Sequence, residues 1–364
     1  MTRRTFLAAS AFAARRWRAA LIGHTGRGNF GHDWDLSFKD LPNVETVAVA
    51  DPVEAGRAKA LARSGAKRGY SDYREMLAKE KPDIAAICPR HTDQRLEMVT
   101  AAAETGAHIL LEKPFAMDLK QADAIVEVAS RHRILIQVGH TGRIMKVHPM
   151  AVEMIRAGEI GQLMEIRARG KEDRRAGGED LIVLGGHCFD LMRAFAGEPK
   201  SIHATIQGPV RQPTEPVGLV RGTDVAATIL FDSGIHGYWG SRRSDVTDGE
   251  RFGIAMLGSK GAIFMPLTKV PNDELLVTKS TSWTGQWKRV EPPPAERNMS
   301  RAYFNGVMAK DLMDAVEQHR QPLCSARDGQ VTMEMIAAMY QSAALGASVR
   351  FPLVDRSMPV VTPQ

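Results

Sequence analysis

From Trp17 onward, short apolar runs alternate with stretches whose apolar residues recur at helical spacing. The runs cover 19–22, 44–50, 84–88, 108–111 and 134–138, and amphipathic stretches such as 52–64 and 93–105 separate them. Runs this short and this continuously apolar fit strands covered on both faces. Their alternation with helical stretches predicts βαβ units around a parallel sheet.

Past residue 140 the texture changes. The pattern predicts a helix over 149–157, stopped by Gly158, and then strands over 163–169, 201–207, 225–231, 234–240, 252–257 and 262–265. Little helix lies between these strands, and Gly234 and Gly258-Ser259-Lys260-Gly261 supply hairpin-type turns. Pro292-Pro293-Pro294 marks a linker before two helical stretches, 302–318 and 328–345. The fold class is therefore α/β. A Rossmann domain (a doubly wound parallel sheet) over 17–140 precedes an α+β domain over 141–364 with a mostly antiparallel sheet. A chain of 364 residues also exceeds what one ordinary core accommodates.

Charge alters this picture only at the amino terminus. The formal net charge is +6, but Arg3, Arg4, Arg15, Arg16 and Arg18 supply five of those charges with no acid among them. The remainder is nearly neutral and shows no basic stripe interleaved with aromatics, which argues against a nucleic-acid partner. No apolar run approaches the ~18 residues that would predict a membrane span. Residues 1–16 form a basic tail in which Thr2-Arg3-Arg4-Thr5-Phe6-Leu7 and an alanine-rich stretch resemble a twin-arginine export signal. That route carries folded proteins and predicts a periplasmic or secreted destination. A cytoplasmic protein with a basic tail is the alternative. Cys88, Cys188 and Cys324 are too few and too scattered for a disulfide framework or a zinc site.

Directly after the first predicted strand stands Gly23-His24-Thr25-Gly26-Arg27-Gly28-Asn29-Phe30-Gly31. A dinucleotide pyrophosphate needs backbone amides at close range and the positive end of a helix. Two registers are open. Gly23-x-Thr25-x-x-Gly28 begins at the strand end with Thr25 in the second glycine position. Gly26-x-Gly28-x-x-Gly31 matches literally but starts three residues later. Gly23, Thr25, Gly26, Arg27 and Gly28 are the candidate cofactor residues. Asp51, at the end of the second predicted strand, is placed to accept hydrogen bonds from a ribose, and a carboxylate there favours NAD over NADP. Asp51 also suits the start of the helix that Pro52 opens.

Gly106-Ala107-His108-Ile109-Leu110-Leu111-Glu112-Lys113-Pro114 resembles the family of glucose–fructose oxidoreductase, inositol dehydrogenase and the rhizopine enzyme, Gfo/Idh/MocA. The resemblance spans Trp17 to Leu353. It takes in the glycine-rich turn, Ile87-Cys88-Pro89, Gly158-Glu159-Ile160-Gly161, Gly258-Ser259-Lys260-Gly261, Tyr340-Gln341-Ser342-Ala343 and Pro352-Leu353. It implies an NAD(P)-dependent oxidoreductase of sugars or cyclitols, assembled as a homo-oligomer (dimer or tetramer) through the second sheet. It further implies that Lys113 is catalytic, that Glu112 and Pro114 lie beside the cofactor, and that the bond before Pro114 is cis and aims the lysine.

The same resemblance assigns His187 as the second catalytic residue and Asp190 as a substrate contact. Helical spacing puts Val183, His187 and Asp190 on one face, with Val183 where the family carries an aspartate. Asp180, two turns before His187, could substitute if the helix begins there. His140 and His148 are further pocket candidates, since loops after parallel strands build sites. In 169–175 the cations, Arg174 among them, suit a polyhydroxylated or carboxylated substrate. Asp93 is a possible ribose or substrate contact. The expected reaction is hydride transfer between NAD and a secondary alcohol or ketone of a small carbohydrate. Two alternatives stay open: cleavage of a glycoside through transient oxidation with retained NAD, and a sugar or dinucleotide sensor without turnover. No metal is expected, because His187, Cys188 and Asp190 do not make three ligands on one helix face.

Overall fold

The computed structural model describes residues 15–358 apart from 216, 244–250, 269–273 and 283. The arginine pair and alanine-rich stretch of the tail lie outside the described residues. Six strands form the first sheet: β1 (Trp17–Ile22), β2 (Val44–Ala50), β3 (Arg68–Tyr70), β4 (Ile84–Ile87), β5 (His108–Leu111) and β6 (Ile136–Val138). Their order is β3-β2-β1-β4-β5-β6 and every pairing is parallel. β4 is buried at all four positions, as a strand sandwiched between helix layers must be. The order reverses between β1 and β4, which opens a crevice at their carboxyl ends.

Helices α1 (Glu54–Ser64), α2 (Tyr73–Glu80), α3 (Arg95–Glu104) and α4 (Leu119–His132) supply the later crossovers. The first crossover holds no α-helix, only a 3-10 turn over Trp34–Leu36. Asn29, Gly31 and Asp33 all carry positive φ (52°, 58° and 62°), and left-handed residues so closely spaced prevent a right-handed helix from starting. The helix positive end expected at the glycine-rich turn is therefore missing.

After α5 (Val147–Arg156) come β7 (Leu163–Arg169), α6 (Gly178–Val183), α7 (Gly185–Ala196) and β8 (Pro199–Gln207). A small hairpin, β9 (Val210–Arg211) with β10 (Val220–Arg221), precedes β11 (Asp224–Phe231), β12 (His236–Arg242), β13 (Gly253–Gly258), β14 (Ala262–Pro266), β15 (Leu275–Thr278) and β16 (Lys288–Val290). α8 (Arg301–Glu317), α9 (Ala326–Leu345) and β17 (Val349–Arg350) complete the chain. The second sheet has nine strands in the order β16-β15-β14-β13-β7-β12-β11-β8-β17, antiparallel except for β12 against β7. β12 lies two residues later than its pattern suggested. A shift of two keeps every side chain on its predicted face.

α9 is buried without a break from Gly329 to Ser342. It packs on α4 of the first domain and on α7 and β8 of the second. A helix enclosed on all sides carries no polar stripe, and its length rather than its amphipathicity announces it in the sequence. Ser325 and Asp328 cap it reciprocally.

Candidate active site

The glycine-rich turn curls on itself. The His24 and Asn29 backbones bond each other in both directions, at 3.2 and 3.0 Å, and the Gly26 amide donates to Asn29 Oδ1 at 3.0 Å. Gly26 and Gly28 have φ of 83° and 91°, which L side chains rarely adopt. A Cβ on Gly28 would sit 2.4 Å from the Arg90 amide nitrogen, so the turn and the segment after β4 touch backbone to backbone. Gly23 lies under the Phe30 ring, where a Cβ would stand 2.2 Å from it. Both registers of the motif thus contain glycines that the packing requires. A close-packed cradle of small residues at the switch point fits a dinucleotide, with Gly26 facing open space.

Two of the candidate cofactor residues, Asp51 and Thr25, are turned inward. Asp51 ends β2 as predicted, but its carboxylate is fully buried. It accepts from the Thr25 amide (3.0 Å), the Thr25 hydroxyl (2.7 Å) and the Val53 amide (2.9 Å). It braces the turn and receives the amide of Val53, the residue that precedes α1, so its oxygens are engaged within the protein. The Thr25 hydroxyl is correspondingly turned inward against Gly56, whose Cβ position lies 1.7 Å from it. Arg27 ion-pairs with Asp93 across the crevice, joining the glycine turn to the loop after β4.

At the ends of β4, β5 and β6 the chain builds one wall of a cavity of about 280 Å³. Arg90, Glu112, Lys113 and Gly139 line it there, with His32 and Trp34 from the first crossover. Arg95, itself 1% exposed, ties the β4 and β5 ends together by donating to the carbonyls of Pro89 (2.7 Å) and Glu112. Burial pulls its guanidinium down to about 10. The Lys113–Pro114 bond is cis. Glu112 is held by His32, whose Nδ1 is 3.1 Å from Oε1.

The opposite wall comes from the second domain. Lys171 and Arg175 follow β7; Leu184, His187 and Leu191 lie along the start of α7; Glu215, Phe252 and Leu267 come from loops, and Arg301, Phe304 and Asn305 from α8. Lys113 and His187, 74 positions apart and on different domains, therefore face one space. Burial lowers the Lys113 ammonium below 10.5, aided by Arg90 and Arg175 and opposed by Glu112 and Glu215. Burial also pushes His187 well below 6.5, and the neighbouring His140, Lys113 and His32 add to the shift. At neutral pH the imidazole is uncharged and able to accept a hydrogen bond.

Several other predicted contacts lie elsewhere. The helix breaks at Leu184, where φ is −120°, so Val183 ends α6 and does not share a face with His187. Asp190 is fully buried away from the cavity and pairs with Arg143, Nε to Oδ2 at 2.9 Å and Nη2 to Oδ1 at 2.7 Å. Asp180 is likewise internal, accepting from Ser241 Oγ (2.6 Å) and the Glu172 amide (2.9 Å), and does not replace the missing carboxylate. Arg174 is exposed; its neighbour Arg175 lines the cavity instead. His140 stands behind His187, ring centroids 5.3 Å apart at 87°, outside the lining. His148 packs on Phe195, and burial takes it down to about 4. Residue-level reading missed Arg90, Glu215 and Arg301. Only Arg90, following a predicted strand end, carried a signal that could have found it.

A parallel six-stranded sheet with a glycine cradle at its switch point, covered by a second domain that closes the crevice, defines a dinucleotide-dependent oxidoreductase. The family models agree. Residues 18–140 match the oxidoreductase family with an NAD-binding Rossmann fold, and residues 152–351 match the C-terminal alpha/beta domain of the same family. The chain belongs to the Gfo/Idh/MocA oxidoreductases. It is 26% identical over 344 residues to scyllo-inositol 2-dehydrogenase (NAD(+)) of Bacillus subtilis, covering 92% of this chain and 96% of that one. To D-apiose dehydrogenase of Paraburkholderia graminis it is 24% identical, covering 98% and 95%. Levoglucosan dehydrogenase in complex with NADH and L-sorbose shares the fold with a TM-score of 0.78 at 21% identity, covering 93% of this chain and all of that one.

Proposed function

We propose that this oxidoreductase interconverts a secondary alcohol and a ketone on a sugar, sugar derivative or cyclitol. The observation that carries the reading is the convergence of Lys113 and His187, from separate domains, on one cavity at the carboxyl ends of the parallel strands. Its walls combine polar groups with Trp34, Phe252 and Phe304, surfaces suited to the C–H faces of a polyol ring. The names of the inositol, apiose and levoglucosan relatives support the substrate class.

NAD, when bound against the glycine cradle, supplies the two-electron acceptor for the carbon-bound hydrogen. The Lys113 amine, the form that burial favours, takes the proton of the reacting hydroxyl. Neutral His187 accepts a hydrogen bond from the same or the adjacent hydroxyl and fixes which carbon is presented. Glu112, anchored by His32, and Glu215 hold negative charge close to the ammonium.

The test is to incubate the purified protein with NAD and a panel of sugars, polyols and glycosides while following reduced-cofactor absorbance and product masses together. Cofactor reduction with loss of two mass units from a polyol is the expected result. Glycoside cleavage without net cofactor reduction, or NAD affinity without any turnover, would replace the proposal with one of the two alternatives.

We also propose that the outer face of the nine-stranded sheet is a subunit interface. Along β11 and β12, Ala226, Thr228 and Tyr238 alternate outward between buried neighbours and, with Arg167 and His203, form a shallow depression of small and flat side chains. For the tail, the proposal remains export through the twin-arginine route. Replacing Arg3 and Arg4 by lysine should then leave the protein in the cytoplasm on cell fractionation.

A further inference from the structure

The two walls of the cavity differ in what their charges are for. On the wall nearer the glycine cradle, Arg90 touches the turn through its backbone and Lys113 carries the proposed proton transfer. Across from them the second domain contributes Lys171, Arg175 and Arg301, with Glu215 as its one lining carboxylate among the described residues. Glu215 is shared between Arg90 (3.2 Å) and Arg175 (3.4 Å), and Asp173 engages Arg175 at 2.6 Å and Lys171 only at 3.7 Å. Arg301, at the first turn of α8, has no carboxylate within ion-pair distance among the described residues.

Among the described lining residues five basic side chains (Arg90, Lys113, Lys171, Arg175 and Arg301) face two carboxylates, Glu112 and Glu215, so a neutral sugar would leave that excess of cations uncompensated, and oxidised nicotinamide carries a further positive charge. Arg301 is exposed and Lys171 half-buried, so at the rim of the cavity they attract an anion more strongly than bulk water allows and less strongly than a sealed site would. We propose that the substrate is an acidic sugar, whose carboxylate or phosphate oxygens are received by Lys171 and Arg301 while Lys113 and His187 meet a hydroxyl. This rests on the dehydrogenase reading and narrows its substrate class. It also gives Arg175 a role: locked to Asp173 and Glu215, it holds the cationic wall in place.

The test measures binding and turnover separately. The NADH-loaded protein is titrated calorimetrically with D-gluconate, D-glucose 6-phosphate and D-glucose, and cofactor reduction is followed with NAD and the same three compounds. The expected result is at least tenfold tighter binding of one acidic compound than of glucose, with its carboxylate or phosphate source identified by which compound binds. The preference should shrink toward unity in Arg301→Gln combined with Lys171→Gln, and return largely in Arg301→Lys with Lys171 intact. Equal binding of glucose and both acids overturns the proposal, even if glucose is oxidised and the dehydrogenase reading stands. Preferential binding of an acid with no cofactor reduction by any compound leaves this inference supported while the dehydrogenase reading fails.

Discussion

At Lys113 two influences act on one ammonium in opposite senses. Burial and the guanidinium groups of Arg90 and Arg175 favour the free amine, whereas Glu112 and Glu215 favour the charged form, and burial is the largest. The amine is the form that accepts a hydroxyl proton, so alcohol oxidation should rise with pH to a plateau whose midpoint lies below the 10.5 of a free lysine. Glu215→Gln removes one acid that opposes the shift and leaves both guanidinium groups unbalanced. The midpoint of the kcat/KM–pH profile should therefore move to still lower pH; a move upward would contradict the assignment. Lys113→Ala should lower kcat by about 10²–10⁴-fold, with NAD affinity measured by fluorescence titration changed less than threefold. At this scale the sequence was informative wherever a motif is local. The place of Lys113 on the cavity wall was legible because its neighbours form a contiguous signature. That Asp190 and Asp180 are buried outside the cavity was not legible, because their partners, Arg143 and Ser241, lie 47 and 61 positions away and only folding joins them.

Between elements, the glycine-rich turn does without the helix that commonly follows it. Its shape is held instead by the Asp51 carboxylate, the Asn29 side chain and direct backbone contact with Arg90. Gly28→Ala should strain a left-handed residue by ~1–3 kcal/mol and push the Arg90 segment away. A rise of tenfold or more in the Kd for NAD, with the fold retained by circular dichroism, is the expected measurement. The junction of α6 and α7 shows why the helical spacing of Val183, His187 and Asp190 misled. Periodicity assumes an unbroken axis, and the two glycines after Leu184 carried the hint of a break. Behind that junction Arg143 binds Asp190, Asp328 and the Leu323 carbonyl, joining the 3-10 turn after β6 to α7 and the start of α9. Arg143→Ala leaves Asp190 buried without a cation and should cost about 3–5 kcal/mol in chemical denaturation.

Across the whole molecule, the fold class followed from alternation alone, because strand burial and helix spacing are properties of neighbouring residues. What the pattern concealed were short strands such as β15 and the edge strand β16, and the walls of the cavity, which unite residues as distant as His32 and Asn305. The Asn305 amide donates to the His32 carbonyl at 2.8 Å, a contact with no local trace. If the outer face of the second sheet joins subunits, Tyr238→Lys with Thr228→Lys should shift the mass measured by light scattering from an oligomer to a monomer.

The position of α9 has a consequence for how ligands come and go. The helix is core to both domains at once: Gly329 lies against Phe115 so closely that a Cβ would sit 2.6 Å from its ring, and Gln330 bonds Asp123 at 2.6 Å. Prising the halves apart would expose that shared helix to water, so hinge opening is an expensive route to the cavity. Ligands would then enter from the open side of the cavity, where Arg301 is exposed, and meet Lys113 and His187 already facing one space.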